Sequence, residues 1–426
     1  MRILLLSHGL PPDSVGGVEQ HVSGLAAALV ELGHDVDIFT RGDLPQRPQG
    51  AFEQAVTGNP AVWRAAYRWE GVDSLDALYQ CEPMADATAR FLSERASAGV
   101  RYDVAHVHHL TGMSVESLHR ISAAGVPTLL TLHDYWLISP CGQLFFHEGP
   151  LEQRADPEQT CAVLTRLFPG WMKEDPRGAV ARMQERSLAA LAAPARLIVP
   201  SARAIPAFTG LGVERDRFTV VENGVDTRRL EQLAPPAGGP GPLRVGYFGT
   251  LIPSKGLDVL IRAVQQLPPG MVELHVHGNA VPYHGDESYL TKCFQKLQPG
   301  SSVTYHGPYS LDEMPGRMAT IDLLAAPALW HEAFGLTVRE ALAAARPVLV
   351  SRVGGLQDAV EDGIQGRVLP PGDVSAWAGA IQELADDRNQ LLRMVSRCRE
   401  RARGLAEMAG ELAAIYAEVA AGPAIS

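Results

Sequence analysis

The sequence lacks any apolar run approaching the ~18 residues that a membrane-spanning helix needs. The apolar stretch in MRILLLSHGLPPD is too short for a signal peptide and suits a buried first strand. Cysteine is scarce, with five residues at 81, 141, 161, 293 and 398 and no CxxC pair. That argues against a disulfide framework and fits free thiols in a reducing cytosol. Cys141 and Cys161 flank an irregular segment, but two ligands alone do not define a metal site. Basic charge is also in deficit: 37 Lys and Arg face 48 Asp and Glu, for a net charge of −11. A general nucleic-acid or anionic-membrane surface is therefore not expected. Any phosphate site must be local, built from a few cations and helix N-termini. The GxGxxG dinucleotide fingerprint is missing as well, which weakens a nicotinamide reading.

What is present is 426 residues of ordinary globular composition, 46% hydrophobic and 20% charged, enough for two or three domains. RILLLS is continuously apolar, as a strand buried on both faces requires. The loop HGLPPDSVGG, the helix VEQHVSGLAAALVELG and the strand HDVDIFT follow. VRYDVAHVHH, VPTLLTLHD, ARLIVPS and RFTVVENGVD continue the alternation, which predicts a doubly wound parallel sheet. Residues 234–242, APPAGGPGP, are seven-ninths Pro and Gly and read as a linker. The pattern then restarts with LRVGYFGT, LDVLIRAVQQL, VELHVHG, SVTYHGP, DLLAAPA and RPVLVS, and ends in Ala-rich helices from about 374. Two α/β halves imply a cleft where strand C-terminal ends face each other. Segments 41–100 and 139–178 are irregular, and the first holds Trp63, Tyr67, Trp69 and Tyr79.

Several motifs sit where chemistry is expected. In SVGGVEQHV, Gly16-Gly17 stands at a helix start, where unpaired N–H groups accept an anion; the alternative is a tight turn. In YFGTLIPSKGLDVLI, Lys255 stands at the next helix entrance and would add full charge to the helix dipole. HEAFGLTVREALAAA carries Glu332 and Glu340. Taken alone, Thr337-x-x-Glu340 reads as a capping box. The HxH pairs His106/His108 and His275/His277 have zinc-compatible spacing, but position suggests no third ligand. His133, in LLTLHDYW, lies at a strand's C-terminal end. Asp35-Val36-Asp37 is DxD-like but sits at a strand start, on the wrong edge of the sheet. Residues 178–193, GAVARMQERSLAALAA, are amphipathic; they pack on their own domain or meet a membrane surface.

In this order the motifs GGVEQHV, DVAHVHH, PTLLTLHDYW, VENGVD, FGT…KGLDVLI, VHGNA and YHGPY resemble family-4 retaining glycosyltransferases. EAFGLTVREALAAARPVLVSRVGGLQDAV and DGIQGRVLPPGD extend the likeness over most of the chain. The resemblance implies an α/β GT-B fold of two Rossmann-like domains. The acceptor domain would be 1–233, the linker 234–242 and the nucleotide-sugar domain 243–400, with a helix at about 400–426 returning to the first. It implies transfer from a UDP- or GDP-sugar, with no metal or cofactor required. By the likeness, Glu340 holds the ribose. Glu332, with Phe334, Gly335 and Leu336, meets the sugar and phosphate. Lys255 and Gly16-Gly17 clamp the diphosphate. His133 lies beside the reacting sugar, so the catalytic set is His133, Glu332 and Lys255. Gly278, Thr250 and Tyr309 complete the donor site, Tyr309 against the base. His109 and Asp134 face a saccharide, lipid-linked or small-molecule acceptor. A cytoplasmic enzyme is implied, peripheral at the inner membrane face if its acceptor is lipid-linked, and nucleic acid is no partner. Two departures stand out: Thr250 replaces a common Arg, and Asp358 follows Gly354-Gly355 where Glu is common. A GT-B-like epimerase or phosphorylase, and a non-catalytic nucleotide-sugar-binding protein, are the competing readings. E-x7-E without a pyridoxal-phosphate lysine segment opposes the first, and Thr250 motivates the second.

Overall fold

The computed structural model describes residues 1–144, 157–173, 175–283 and 285–422. The portion of the irregular segment at 145–156, with residue 174, lies outside the described residues. The chain forms two compact units. One takes its described residues from 1–144, 153–224 and from 405 onward, and the other takes 225–404.

The first unit holds an eight-stranded sheet of β1 (Arg2–Ser7), β2 (Asp35–Gly42), β3 (Phe52–Val56), β4 (Ala61–Ala66), β5 (Val104–Val107), β6 (Thr128–Thr131), β7 (Arg196–Val199) and β8 (Phe218–Val220). Their order is β3-β4-β2-β1-β5-β6-β7-β8. Every neighbouring pair is parallel except β3 with β4, an antiparallel edge drawn from the irregular region after residue 41. Ile3 to Leu6 are fully buried, because helices cover both faces of a parallel sheet. The helix Gly17–Glu31 returns the chain from β1 to β2. It closes with Gly33 N–H to Val30 O (2.9 Å) and His34 N–H to Leu29 O (3.1 Å), the paired bonds of a Schellman end.

The second unit holds β9 (Leu243–Phe248), β10 (Val272–His277), β11 (Val303–Tyr305), β12 (Leu323–Ala326), β13 (Val348–Ser351) and β14 (Gly366–Leu369). Their order is β11-β10-β9-β12-β13-β14, parallel throughout. Its core centres on Trp377, fully buried among Val245, Leu260, Leu274 and Ile381. The chain changes unit at 224/225, ahead of the Pro/Gly stretch 234–242, which lies in the second unit. That stretch is tied down: Arg399 donates to Leu233 O (2.9 Å) and Arg346 to Ala234 O (2.9 Å).

The helix Leu405–Ala421 belongs to the first unit, where Met408, Leu412 and Tyr416 join Ile3, Leu5, Val22 and Leu25 in one core. His106 fastens it: its Nδ1 meets the Tyr416 hydroxyl (2.6 Å) and its Nε2 the Thr131 hydroxyl (2.7 Å). The amphipathic segment forms the helix Pro176–Ala190, with Val180, Met183 and Ala190 buried in its own unit and Arg186 paired with Asp76. Among the described residues no helix is long and apolar enough to cross a membrane. Asp37 of the DxD-like triplet is taken by Arg95 (2.9 Å) and Tyr102 (2.5 Å).

Each sheet reverses its strand order once: β1 stands between β2 and β5, and β9 between β10 and β12. Beyond the C-terminal ends of such strands a crevice opens, and ligands bind there in open α/β sheets. Replacing Tyr416 by Phe leaves His106 Nδ1 buried and unpaired. Urea unfolding should show a loss of about 1–3 kcal/mol in the first unit.

Candidate active site

In the second unit, the crevice gathers residues from both flanking strands. Lys255 stands just before the helix Leu257–Val264, after β9, and its Nζ donates to Glu332 Oε1. Trp330 Nε1 donates to the same oxygen (3.0 Å), and the ammonium lies 5.4 Å from the Trp330 ring centre. Glu332 is only 8% exposed, so these donors are what offset its desolvation. The turn after it packs on Gly354-Gly355. A Cβ on Gly354 would fall 2.1 Å from the Glu332 carbonyl oxygen, and Gly355 N–H donates to that oxygen (2.7 Å). No other residue fits at 354. Arg339, nearly buried, donates to the Phe334 carbonyl and lies 3.9 Å from its ring centre.

The capping box expected from Thr337-x-x-Glu340 is not formed. The helix Leu336–Ala343 starts earlier, because Gly335 takes a left-handed φ of 83° and serves as N-cap without a side-chain bond. Thr337 therefore lies inside the first turn, and Glu340 makes no hydrogen bond to a described residue. Burial pushes the Glu340 carboxyl up to about 7. Tyr309, edge-on to Phe248 (5.5 Å), is raised by burial and by the nearby Glu340 charge. Thr250 offers its carbonyl to the Tyr247 hydroxyl (3.1 Å), and Gly278 N–H donates to Gly307 O (3.0 Å). Lys255, Glu332, Phe334, Gly335 and Leu336 thus meet in one place. Tyr309 and Glu340 neighbour each other.

In the first unit, a cavity of about 680 Å³ opens near the end of β1. Its lining includes Gly17 and Glu19 from the helix start, Arg41 from β2, and Trp69, His109, Asp134, Trp136, Phe168 and Trp171. Both irregular segments therefore contribute walls. His109 Nδ1 accepts the Thr111 N–H (3.2 Å), which leaves Nε2–H to donate to Asp134 (3.2 Å). Asp134 also accepts the Trp136 N–H (2.8 Å). Burial works against its ionisation, but His109 and that N–H hold it below the usual carboxylate range. Glu19 is similar: burial opposes the charge, yet bonds from His8 (3.3 Å) and Ser14 bring it down to about 2. A Cβ on Gly16 would fall 2.7 Å from the Glu19 carboxylate. The anion-attracting helix start of Gly16-Gly17 thus already carries a negative side chain. His133 neighbours His108, with 3.1 Å between His108 Nδ1 and His133 Nε2.

Trp330, Arg339, Glu19, Arg41, Trp136, Phe168 and Trp171 are site-lining residues that the sequence reading did not select. Arg41 had a legible signal, a cation at the C-terminal end of a strand. The aromatic walls had none, because they come from loops without a repeating pattern.

Two Rossmann-like parallel-sheet units, each with its crevice at the strand-order reversal, define the GT-B glycosyltransferase class. Residues 15–229 match the family model "Glycosyltransferase Family 4", and 235–403 match "Glycosyl transferases group 1". The chain belongs to glycosyltransferase family 4. It is 28% identical over 415 residues to a D-inositol 3-phosphate glycosyltransferase of Nocardia farcinica, covering 92% of this chain and 83% of the relative. A protein of the same name from Mycolicibacterium smegmatis is 28% identical over 387 residues, covering 87% and 79%. Among solved structures, sucrose-phosphate synthase of Thermosynechococcus elongatus matches with a TM-score of 0.72 at 21% identity over 99% of both chains. Anabaena HepE, solved with UDP, matches with a TM-score of 0.67 at 19% identity over 98% of this chain and 100% of its own.

The raised Glu340 carboxyl has a consequence for stability. Between the model carboxyl value of 4.5 and about 7, the folded protein keeps a proton on Glu340 that the unfolded chain releases. The folded state binds more protons there, so this group's contribution to stability falls as pH rises through that window. Glu340→Gln should therefore raise the melting temperature at pH 8, by the equivalent of ~1–3 kcal/mol, and change it little at pH 4. Calorimetry at the two pH values checks this. Thr337→Ala should be close to neutral, since no cap is lost.

Proposed function

We propose that the protein is a retaining glycosyltransferase. It moves a sugar from a UDP- or GDP-sugar, held by the second unit, to a hydroxyl of an acceptor that enters the cavity of the first. The observation that carries the reading is the second crevice: a lysine fixed on a buried glutamate, beside a glutamate without a hydrogen-bond partner among the described residues. A ribose offers two hydroxyl donors to such an unmatched carboxylate. Breaking the anomeric bond places growing negative charge on the diphosphate and oxocarbenium character on the sugar. Lys255 and the N–H groups at the start of the helix Leu336–Ala343 oppose the first charge, and Glu332 faces the second. The leaving phosphate then takes the acceptor proton on the same face, which retains configuration and requires no metal. The UDP-glucose complex of Anabaena HepE supports a nucleotide-sugar donor.

The acceptor reading rests on the cavity walls. Arg41 is the one Lys or Arg among its described lining residues, against Glu19 and Asp134, with Trp69, Trp136, Phe168 and Trp171 as flat apolar faces. Such walls suit a ring-shaped, hydroxyl-bearing acceptor without a phosphate, in contrast to the inositol phosphate in the names of the sequence relatives. Its product would enter a cell-surface polysaccharide, a glycolipid or a glycosylated metabolite. The reaction is placed in the cytoplasm, at the membrane face where the acceptor is lipid-linked.

The test is a turnover and thermal-shift screen with labelled UDP- and GDP-sugars. One donor should stabilise the protein and lose its sugar to an acceptor or to water. Binding without either outcome, across a broad acceptor panel, would favour a non-catalytic binding protein. Lys255→Ala should lower kcat by about 10²–10³ while the variant stays folded. Glu340→Ala should weaken donor binding. Trp69→Ala should raise the acceptor KM and leave donor affinity unchanged; an unchanged acceptor KM would remove the cavity from the acceptor site.

A further inference from the structure

Three histidines in the first unit converge although they come from separate elements. His21 lies on the helix Gly17–Glu31, His108 follows β5 and His133 follows β6. One ring nitrogen from each lies within 4.8 Å of the others. His108 Nδ1 and His133 Nε2 are 3.1 Å apart. Tetrahedral bonds of ~2.0–2.1 Å to zinc put neighbouring nitrogens about 3.3 Å apart, so this pair is already at ligand spacing. The rings are inclined, as they must be to aim at a common point. His21 meets His133 at 66° and His108 at 54°. The stack of His275, His277 and His306 in the second unit is a useful contrast. Its rings lie nearly face to face, at 21° and 10°, and their lone pairs run side by side.

Hydrogen bonding gives an independent reason to look here. His21 is 4% exposed, and neither of its ring nitrogens has a hydrogen-bond partner among the described residues. His108 Nε2 is likewise buried and unpartnered. His106, next to His108, has both nitrogens satisfied by hydroxyls and is committed to the fold. A buried polar group without a partner is costly, and a cation that accepts a lone pair removes part of that cost. Burial brings His21 down to about 4 and holds His108 and His133 well below their ordinary value. The three rings are therefore neutral at physiological pH, with lone pairs free to bind a metal.

We infer that His21, His108 and His133 form a binding site for one borderline divalent cation of the zinc class. Three neutral imidazoles favour Zn²⁺ or Co²⁺ over the oxygen-seeking Mg²⁺ and Ca²⁺. Three ligands leave the fourth tetrahedral position to water. The site is separate from the donor chemistry proposed above, which uses no metal, and its test does not depend on turnover.

The whole chain, without an affinity tag and stripped of metal, is titrated with Co²⁺ and then with Zn²⁺. One equivalent of Co²⁺ should bind and give the visible absorption of a tetrahedral ion, and Zn²⁺ should displace it. The bound ion should raise the melting temperature, because the unfolded chain does not gather the three rings. His21→Gln and His133→Phe should each weaken binding by at least the ~10–100-fold seen when an outer-sphere partner is lost. His277→Ala should leave one equivalent bound. The second ligand variant keeps the test open if one of the pair does not fold. No stoichiometric Co²⁺ binding, or binding that survives both ligand variants unchanged, overturns the site.

Discussion

The molecule depends on one constraint of parallel sheets. Each strand must be followed by a return across the sheet face, so the C-terminal ends of the strands share one edge and the loops there are free of pairing duty. In both units strand order reverses at the first strand of the sheet, β1 or β9, and the crevice falls beside it. His8, Gly17 and Glu19 follow β1, while Gly249, Thr250 and Lys255 follow β9. The chemistry-bearing residues are gathered there because the sheet leaves no other edge open to them.

The two crevices solve different electrostatic problems. The second holds a carboxylate by direct neutralisation: Lys255 and the Trp330 indole share Glu332, and the glycine pair at 354–355 lets the backbone approach. Glu340 receives no such help, which is why burial raises it to about 7. The first crevice holds Glu19 and Asp134 ionised through histidine and backbone donors, and surrounds them with aromatic walls. A negatively charged partner suits the second crevice, where a lysine and a helix start converge. A hydroxyl-rich partner with apolar faces suits the first.

Most of the fold was legible because burial on both faces of a sheet leaves a plain mark, the apolar runs RILLLS, TLLT and RLIV. Glu332, Glu340 and Lys255 were legible as a motif in order. Local reasoning failed at the capping box, since the left-handed Gly335 moved the helix start two residues ahead of Thr337. The Pro/Gly stretch 234–242 looked like the boundary between domains, yet the unit changes at 224/225. Composition marks backbone that makes few regular bonds, and here arginine side chains supply the missing ones.

The sequence by itself determined the alternation of strands and helices, the duplication of the α/β pattern and the residues of the donor motif. Each of these is encoded in short-range spacing. Tertiary structure alone decided that Leu405–Ala421 packs with the first unit, that Trp69, Trp136, Phe168 and Trp171 wall one cavity, and that His21 joins His108 and His133. The reason is physical. These groups lie far apart along the chain and carry no common period, so only the sheet that fixes their strands and helices brings them within reach of one another.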